Sequence, residues 1–135
     1  MPWTPDPHGG FSQGPPWLRL PPDQATRNVA VQSGQADSLL RWYADAIALR
    51  KRHPALQTGT MLLPPRDHPH ILTWTRQAGE ERIRILLNMT PQKRTWPSDP
   101  NERWTQVLLT TETRSSAEPA QTWLHPYEGR VVRLA

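Results

Sequence analysis

From Asp37 to His53 the chain reads DSLLRWYADAIALRKRH, with apolar positions recurring every three or four residues. That spacing predicts an α-helix. Asp37 is placed as its N-cap, Arg50, Lys51, Arg52 and His53 suit the negative end of the helix dipole, and Pro54 is the expected stop. At 100° per residue Leu39, Leu40, Trp42, Tyr43, Ala46, Ile47 and Leu49 fill an arc of about 180°, against the ~100° stripe of an ordinary surface helix. Such a helix expects cover on two sides. Arg50 lies inside the arc, so its guanidinium must reach water or meet a carboxylate or carbonyls.

Beyond Pro54 the period drops to two. Residues 60–63, 71–76, 82–89, 92–96, 104–110, 122–124 and 130–134 read as short strands, bounded by Pro64-Pro65, Gly79, Pro91, Pro97-Ser98-Asp99-Pro100, Ser115-Ser116 and Glu128-Gly129. In the central one Ile83, Ile85, Leu87 and Met89 point one way while Arg82, Arg84 and Asn88 point the other, which predicts one apolar inner face and one wet outer face. About seven short strands at this spacing predict an antiparallel β-sandwich over residues 54–135. The fold class is therefore mainly β, with one α-helix and a long loop ahead of it. Seven of the sixteen prolines fall within the first 22 residues, with Gly9, Gly10 and Gly14 among them, so residues 1–36 are expected to hold neither helix nor ladder strand. That loop still carries Trp3, Phe11 and Trp17, which need something to pack against.

Composition narrows the functions open to the chain. Its 135 residues fit one small domain, and sixteen Lys and Arg against twelve Asp and Glu give a formal charge of +4. Fourteen of those cations are arginines, scattered rather than gathered on one run, so no nucleic-acid partner is expected. Without cysteine there is no disulfide frame, thiol nucleophile or thiolate zinc site. No apolar run approaches the ~20 residues needed to cross a bilayer, so no membrane partner is expected. No charged and then apolar leader opens the sequence, and the expected location is the cytoplasm.

Catalytic patterns are sparse. The acids scatter through turns and caps, with no pair that faces across a sugar as a glycosidase requires. No serine occupies a G-x-S-x-G turn, and there is no Walker lysine, G-x-G-x-x-G or H-E-x-x-H, so neither catalytic residues nor a cofactor are assigned. Asp67-His68-Pro69-His70 has metal-ligand residue types, but Pro69 favours a polar turn and no third ligand is indicated; no metal is expected. Seven tryptophans invite a carbohydrate reading, because an indole face stacks on a sugar ring. Trp74, Trp96, Trp104 and Trp123 sit in or beside strands and are assigned to the core, whereas Trp3 and Phe11 sit in the loop and are the candidate substrate-binding residues. Asn88-Met89-Thr90 is a formal glycosylation sequon with no sign of secretion to support it.

Five segments in order carry a family resemblance: MPWTPDPHGGFSQGPPW at the start, NVAVQ at 28–32, SLLRWYADAIALRKRHPAL at 38–56, ILLNMT at 85–90 and HPYEGRVVRLA at 125–135. Together they resemble the C-terminal end of glycoside hydrolase family 13, the alpha-amylase family, closest to its α-glucosidases and oligo-1,6-glucosidases and with trehalose synthases nearby. The resemblance implies that residues 1–36 follow the last strand of a (β/α)8 barrel, that 37–53 is the last barrel helix and that 54–135 is the C-terminal β-sandwich. Family members carry Arg-Thr-Pro just before the Met-Pro-Trp, and upstream of it an aspartate nucleophile, a glutamate acid/base and a transition-state aspartate. None of these residues occurs here, so the resemblance implies a truncated or mis-started reading frame. The expected partner is then a catalytic barrel, with an α-glucan or maltooligosaccharide as ligand, and this chain alone is expected to be inactive. The competing expectations are a fragment of a trehalose synthase or related transglucosidase, and a self-standing carbohydrate-binding sandwich.

Overall fold

A computed structural model describes residues 1–64, 68–97, 102–112 and 122–135. The expected boundaries at Pro65, Ser98 to Pro100 and Ser115-Ser116 lie outside the described residues. The chain divides into two compact units, Met1–Asp45 and Ala46–Ala135.

In the first unit, backbone hydrogen bonds supply the order that periodicity does not. Trp3 N donates to Gly9 O at 2.7 Å and Gly9 N to Asp6 O at 2.8 Å, closing a turn in which Gly9 and Gly10 both take positive φ. A Cβ on Gly10 would lie 2.9 Å from Thr4 Oγ1, so glycine also fits the space. The expectation of a helix-free stretch over 1–36 is corrected by α1, Val29–Gly34. Its cap is Asn28, whose Oδ1 accepts from Val31 N at 2.9 Å while Nδ2 donates to Gln24 O at 2.8 Å. Fully buried, Asn28 thus satisfies both ends of its amide. A six-residue helix has too few turns to display a period, which is why pattern reading passed over it.

The long helix, α2, runs Leu39–Arg52 and begins in the first unit. Its cap is Ser38 rather than Asp37: Ser38 Oγ accepts from Arg41 N at 3.3 Å, and the Ser38 carbonyl accepts from Trp42 N at 3.0 Å. Leu49 is the buried residue of this helix, whereas Leu39, Tyr43 and Ile47, spaced four apart on one stripe, are 67, 57 and 54% exposed. The Arg50 guanidinium meets a carbonyl, donating to Leu56 O. Pro54 stops α2 and also opens a short third helix, α3, Pro54–Gln57, because its fixed φ suits a first helical position.

The second unit holds the strands: β1 Thr60–Leu62, β2 Ile71–Ala78, β3 Glu81–Asn88, β4 Arg94–Thr95, β5 Trp104–Thr110, β6 Trp123–Leu124 and β7 Gly129–Leu134. Five form a sheet in the order β1-β2-β3-β7-β5, and β4 pairs with β6 in a second, two-stranded sheet; every pairing is antiparallel. Ile71, Leu86, Val132 and Leu134 of the large sheet meet Trp96 and Leu124 in one core, with Trp104 and Val107 packed at its edge. The fold is thus mainly antiparallel β.

One expectation about this sheet is reversed. The face carrying Arg84, Leu86 and Asn88 turns inward, with Arg84 7%, Leu86 0% and Asn88 2% exposed. Opposite them in register stand Thr75, Thr73 and Ile71 on β2, all buried, and Arg130 and Val132 on β7, also buried. The supposed wet face is the sandwich interior, and its polar groups are paired. Thr73 Oγ1 donates to Ile85 O at 2.7 Å, and Arg84 Nε donates to Thr75 Oγ1 at 3.1 Å. Asn88 Nδ2 donates to Gln92 O and His125 O, each at 2.7 Å. Ile83 on the other face is nonetheless fully buried, because α3 packs across β2 and β3 there.

Candidate functional site

Trp3 and Phe11, the two candidate sugar-stacking residues, lie on the proline-rich turns of the first unit and are 56% and 57% exposed. The turn that carries them is fixed by Trp3 N to Gly9 O and Phe11 N to His8 O. Trp17, which sequence reading left unassigned, is more open still, at 92% exposed. Neither Trp3 nor Phe11 lines the cleft of about 550 Å3 in this unit, whose walls include Met1, Pro21, Thr26, Gln32 and Gln35 with the Asp23–Arg27 ion pair at 3.3 Å. Nothing in the residue pattern signalled that cleft, since its lining comes from turns, from Gln32 of α1 and from Ser38 and Leu39 at the start of α2.

The other tryptophans separate. Trp96 is in the core and Trp104 borders it, as expected. Trp74 is half-buried opposite Ile85, on the sheet face away from that core. Trp123 is also half-buried, with Lys93 Nζ 3.5 Å above its ring and the His125 ring 4.7 Å away. The His-Pro-His segment is a turn: His68 Nδ1 accepts from His70 N at 3.2 Å and from Ile71 N at 3.0 Å. Burial, then the positive charges of His70 and Arg94, hold His68 below its ordinary value. Asp67 lies outside the described residues. Asn88 of the sequon is buried with both amide hydrogens used, so no glycan can be attached to it in the folded chain.

Three carboxylates that sequence reading treated as scattered turn and cap acids are organising centres. Glu128 accepts from Arg130 Nε at 2.7 Å, from His125 N at 2.8 Å and from Thr110 Oγ1 at 3.1 Å, with Glu128 and Arg130 each about 1% exposed. Glu102 receives the Arg84 guanidinium, which lies 5.6 Å from the Trp96 ring centre, and also Arg82 Nη2 at 3.3 Å. Glu81 accepts from His53 Nδ1 at 2.7 Å and Ala55 N at 3.0 Å. Each is tied to a basic side chain and to the fold, an arrangement that builds structure and presents no acid and nucleophile to a bound sugar.

The alpha-amylase catalytic-domain family model matches residues 1–59. A probable oligo-1,6-glucosidase of Bacillus subtilis strain 168 is 28% identical across 99% of this chain and 24% of its own length. A probable alpha-glucosidase of Rhizobium meliloti strain 1021 is 36% identical across 70% of this chain and 17% of its own length. The chain belongs to the alpha-amylase family. Among solved structures, isomaltulose synthase from Klebsiella sp. LX3 superposes on 98% of this chain and 24% of its own length, with a TM-score of 0.87 and 28% identity. A trehalulose synthase from Pseudomonas mesoacidophila MX-45, at 23% identity and a TM-score of 0.86, shows the same fold. The chain spans about a quarter of the length of the alpha-amylase family relatives it matches. Among the described residues no helix is long and apolar enough to cross a membrane.

Proposed function

We propose that this chain supplies the last helix and the C-terminal β-sandwich of an alpha-amylase-family α-glucosidase, acting in the cytoplasm on α-glucosidic bonds. Its own role is to cap and stabilise a catalytic barrel that carries the acids. The observation that carries this reading is α2: Leu39, Tyr43 and Ile47 form an exposed apolar stripe on a helix whose Leu49 is buried. Burying one such side chain is worth about 2 kcal/mol, so the stripe favours a covering surface. The match of the catalytic-domain model as far as residue 59, through α2 and α3, supports the same division of labour.

The test is an assay of the purified 135-residue chain with a nitrophenyl α-glucoside. No hydrolysis above buffer is expected; turnover that survives rigorous purification would place catalytic acids within this chain and overturn the proposal. Similarity to isomaltulose synthase favours a second reading, in which the parent enzyme transfers glucose instead of hydrolysing it. The exposed rings of Trp3, Phe11 and Trp17 keep a third in play, a self-standing module for α-glucan or maltooligosaccharide. Retardation in an amylose-containing native gel, abolished by replacing one of those rings, decides for that module; unchanged mobility removes it.

A further inference from the structure

Where α2 gives way to α3, the chain has the elements of a clasp. His53 is the N-cap residue of α3, yet its side chain makes no capping bond to that helix. The cap is supplied by Glu81 at the first position of β3, 26 residues beyond Ala55, and its Oε2 accepts from Ala55 N at 3.0 Å. The second oxygen, Oε1, accepts from His53 Nδ1 at 2.7 Å, which requires the proton to sit on that nitrogen. One carboxylate therefore holds both the residue before α3 and the first free N–H within it. A carboxylate at a helix N-terminus is also favoured by the helix dipole. Arg76 Nε donates to Ala55 O at 3.2 Å from β2, and Ala55 is fully buried. Gly59 completes the closure, because a Cβ there would lie 2.7 Å from Gln77 O.

We propose that Glu81, His53 and the Ala55 N–H form an acid-sensitive clasp that holds the α2–α3 junction on the sheet and opens before the sheet does. The charged groups around it are His53 at the junction, Arg133 of β7, whose Nη2 lies 3.8 Å from Glu81 Oε1, and Arg76 of β2. Burial would raise the Glu81 carboxyl, but the bonds from His53 and Ala55 N and the charges of His53 and Arg133 outweigh it. The net displacement is below the ordinary 4.5. A depressed carboxylate contributes stability that is present above its ordinary value and is lost as pH falls through the folded one. Protonation removes the charge and leaves one good acceptor oxygen for two donors, and α3, with only four residues, cannot persist as an isolated helix. Sheet β3, paired on both sides, has no such dependence on Glu81 beyond its first residue.

Amide exchange of the full chain from pH 6 to pH 3.5, corrected for the intrinsic rate, tests the clasp. Protection at Ala55, Leu56 and Thr58 should fall about tenfold or more below pH 4.5 while Ile85 and Leu86 change less. Glu81→Gln, which keeps one acceptor but cannot titrate, should abolish the step. His53→Gln should move it upward towards the ordinary carboxylate value, and the Glu81 side-chain carboxyl followed by NMR should titrate at the same midpoint. Loss of protection in β3 in parallel with Ala55, or an unchanged acid step in Glu81→Gln, would overturn the proposal. If both variants unfold, the wild-type comparison between Ala55 and Leu86 and the carboxyl titration still decide it.

Discussion

The two units solve the problem of placing aromatic and apolar residues in opposite ways. In Ala46–Ala135 the strand faces meet one another, so Leu86, Val132 and Leu124 reach full burial and Trp96 is 8% exposed. In Met1–Asp45 backbone hydrogen bonds also fix turns and helix caps, yet Trp3, Phe11, Trp17 and Leu39 remain more than half exposed. Local order and apolar burial are thus separable. Turns and caps fix a backbone with short-range bonds, but only a second layer removes large side chains from water.

The largest difference between the units should appear on truncating a matched pair of side chains. Leu86→Ala leaves a cavity in the sandwich core and should cost about 3 kcal/mol of unfolding free energy, read by denaturant titration. A loss below about 1 kcal/mol would show that the second unit is as loosely packed as the exposed rings of the first. A medium effect is expected on acidification. His68, whose folded value lies below 6.5, contributes stability that is complete above that pH and is lost as pH falls through the folded value. The melting temperature should therefore decline as pH falls below 6.5, and His68→Asn, whose Oδ1 accepts without titrating, should flatten the decline. An unaltered slope in that variant would assign the acid response to other groups. The smallest effect belongs to the first unit: Trp17→Ala should change stability by no more than about 0.5 kcal/mol, despite deleting the largest side chain type. A loss comparable to that of Leu86→Ala would erase the contrast.

Much of the sheet was legible because β2, β3 and β7 alternate with period two, and α2 because its apolar residues follow period 3.6. The orientation of β3 was not. Alternation identifies two faces but not which is inner, and hydrophobicity alone favours the set Ile83, Ile85, Leu87 and Met89 as the inner one. The set that is inward includes Arg84 and Asn88, whose burial depends on partners at residues 75, 92, 102 and 125. Such long-range pairing leaves no local trace. The same holds for Glu81, which reads as a turn acid until the fold brings His53 and Ala55 to it. Among the candidate site residues, the exposure of Trp3 and Phe11 followed from their proline-rich surroundings, whereas the cleft and Trp17 did not announce themselves.

Burial of Asn88 has a use outside the molecule's own biology. A sequon whose nitrogen is locked between Gln92 O and His125 O is accessible to an oligosaccharide transferase only while β3 is unformed. If the chain is produced through a eukaryotic secretory route, the fraction bearing a glycan becomes a record of how many molecules met the transferase before the ends of the sandwich came together. A mass-spectrometric ratio of glycosylated to bare chain would then act as a clock for folding during synthesis, written covalently at a single atom.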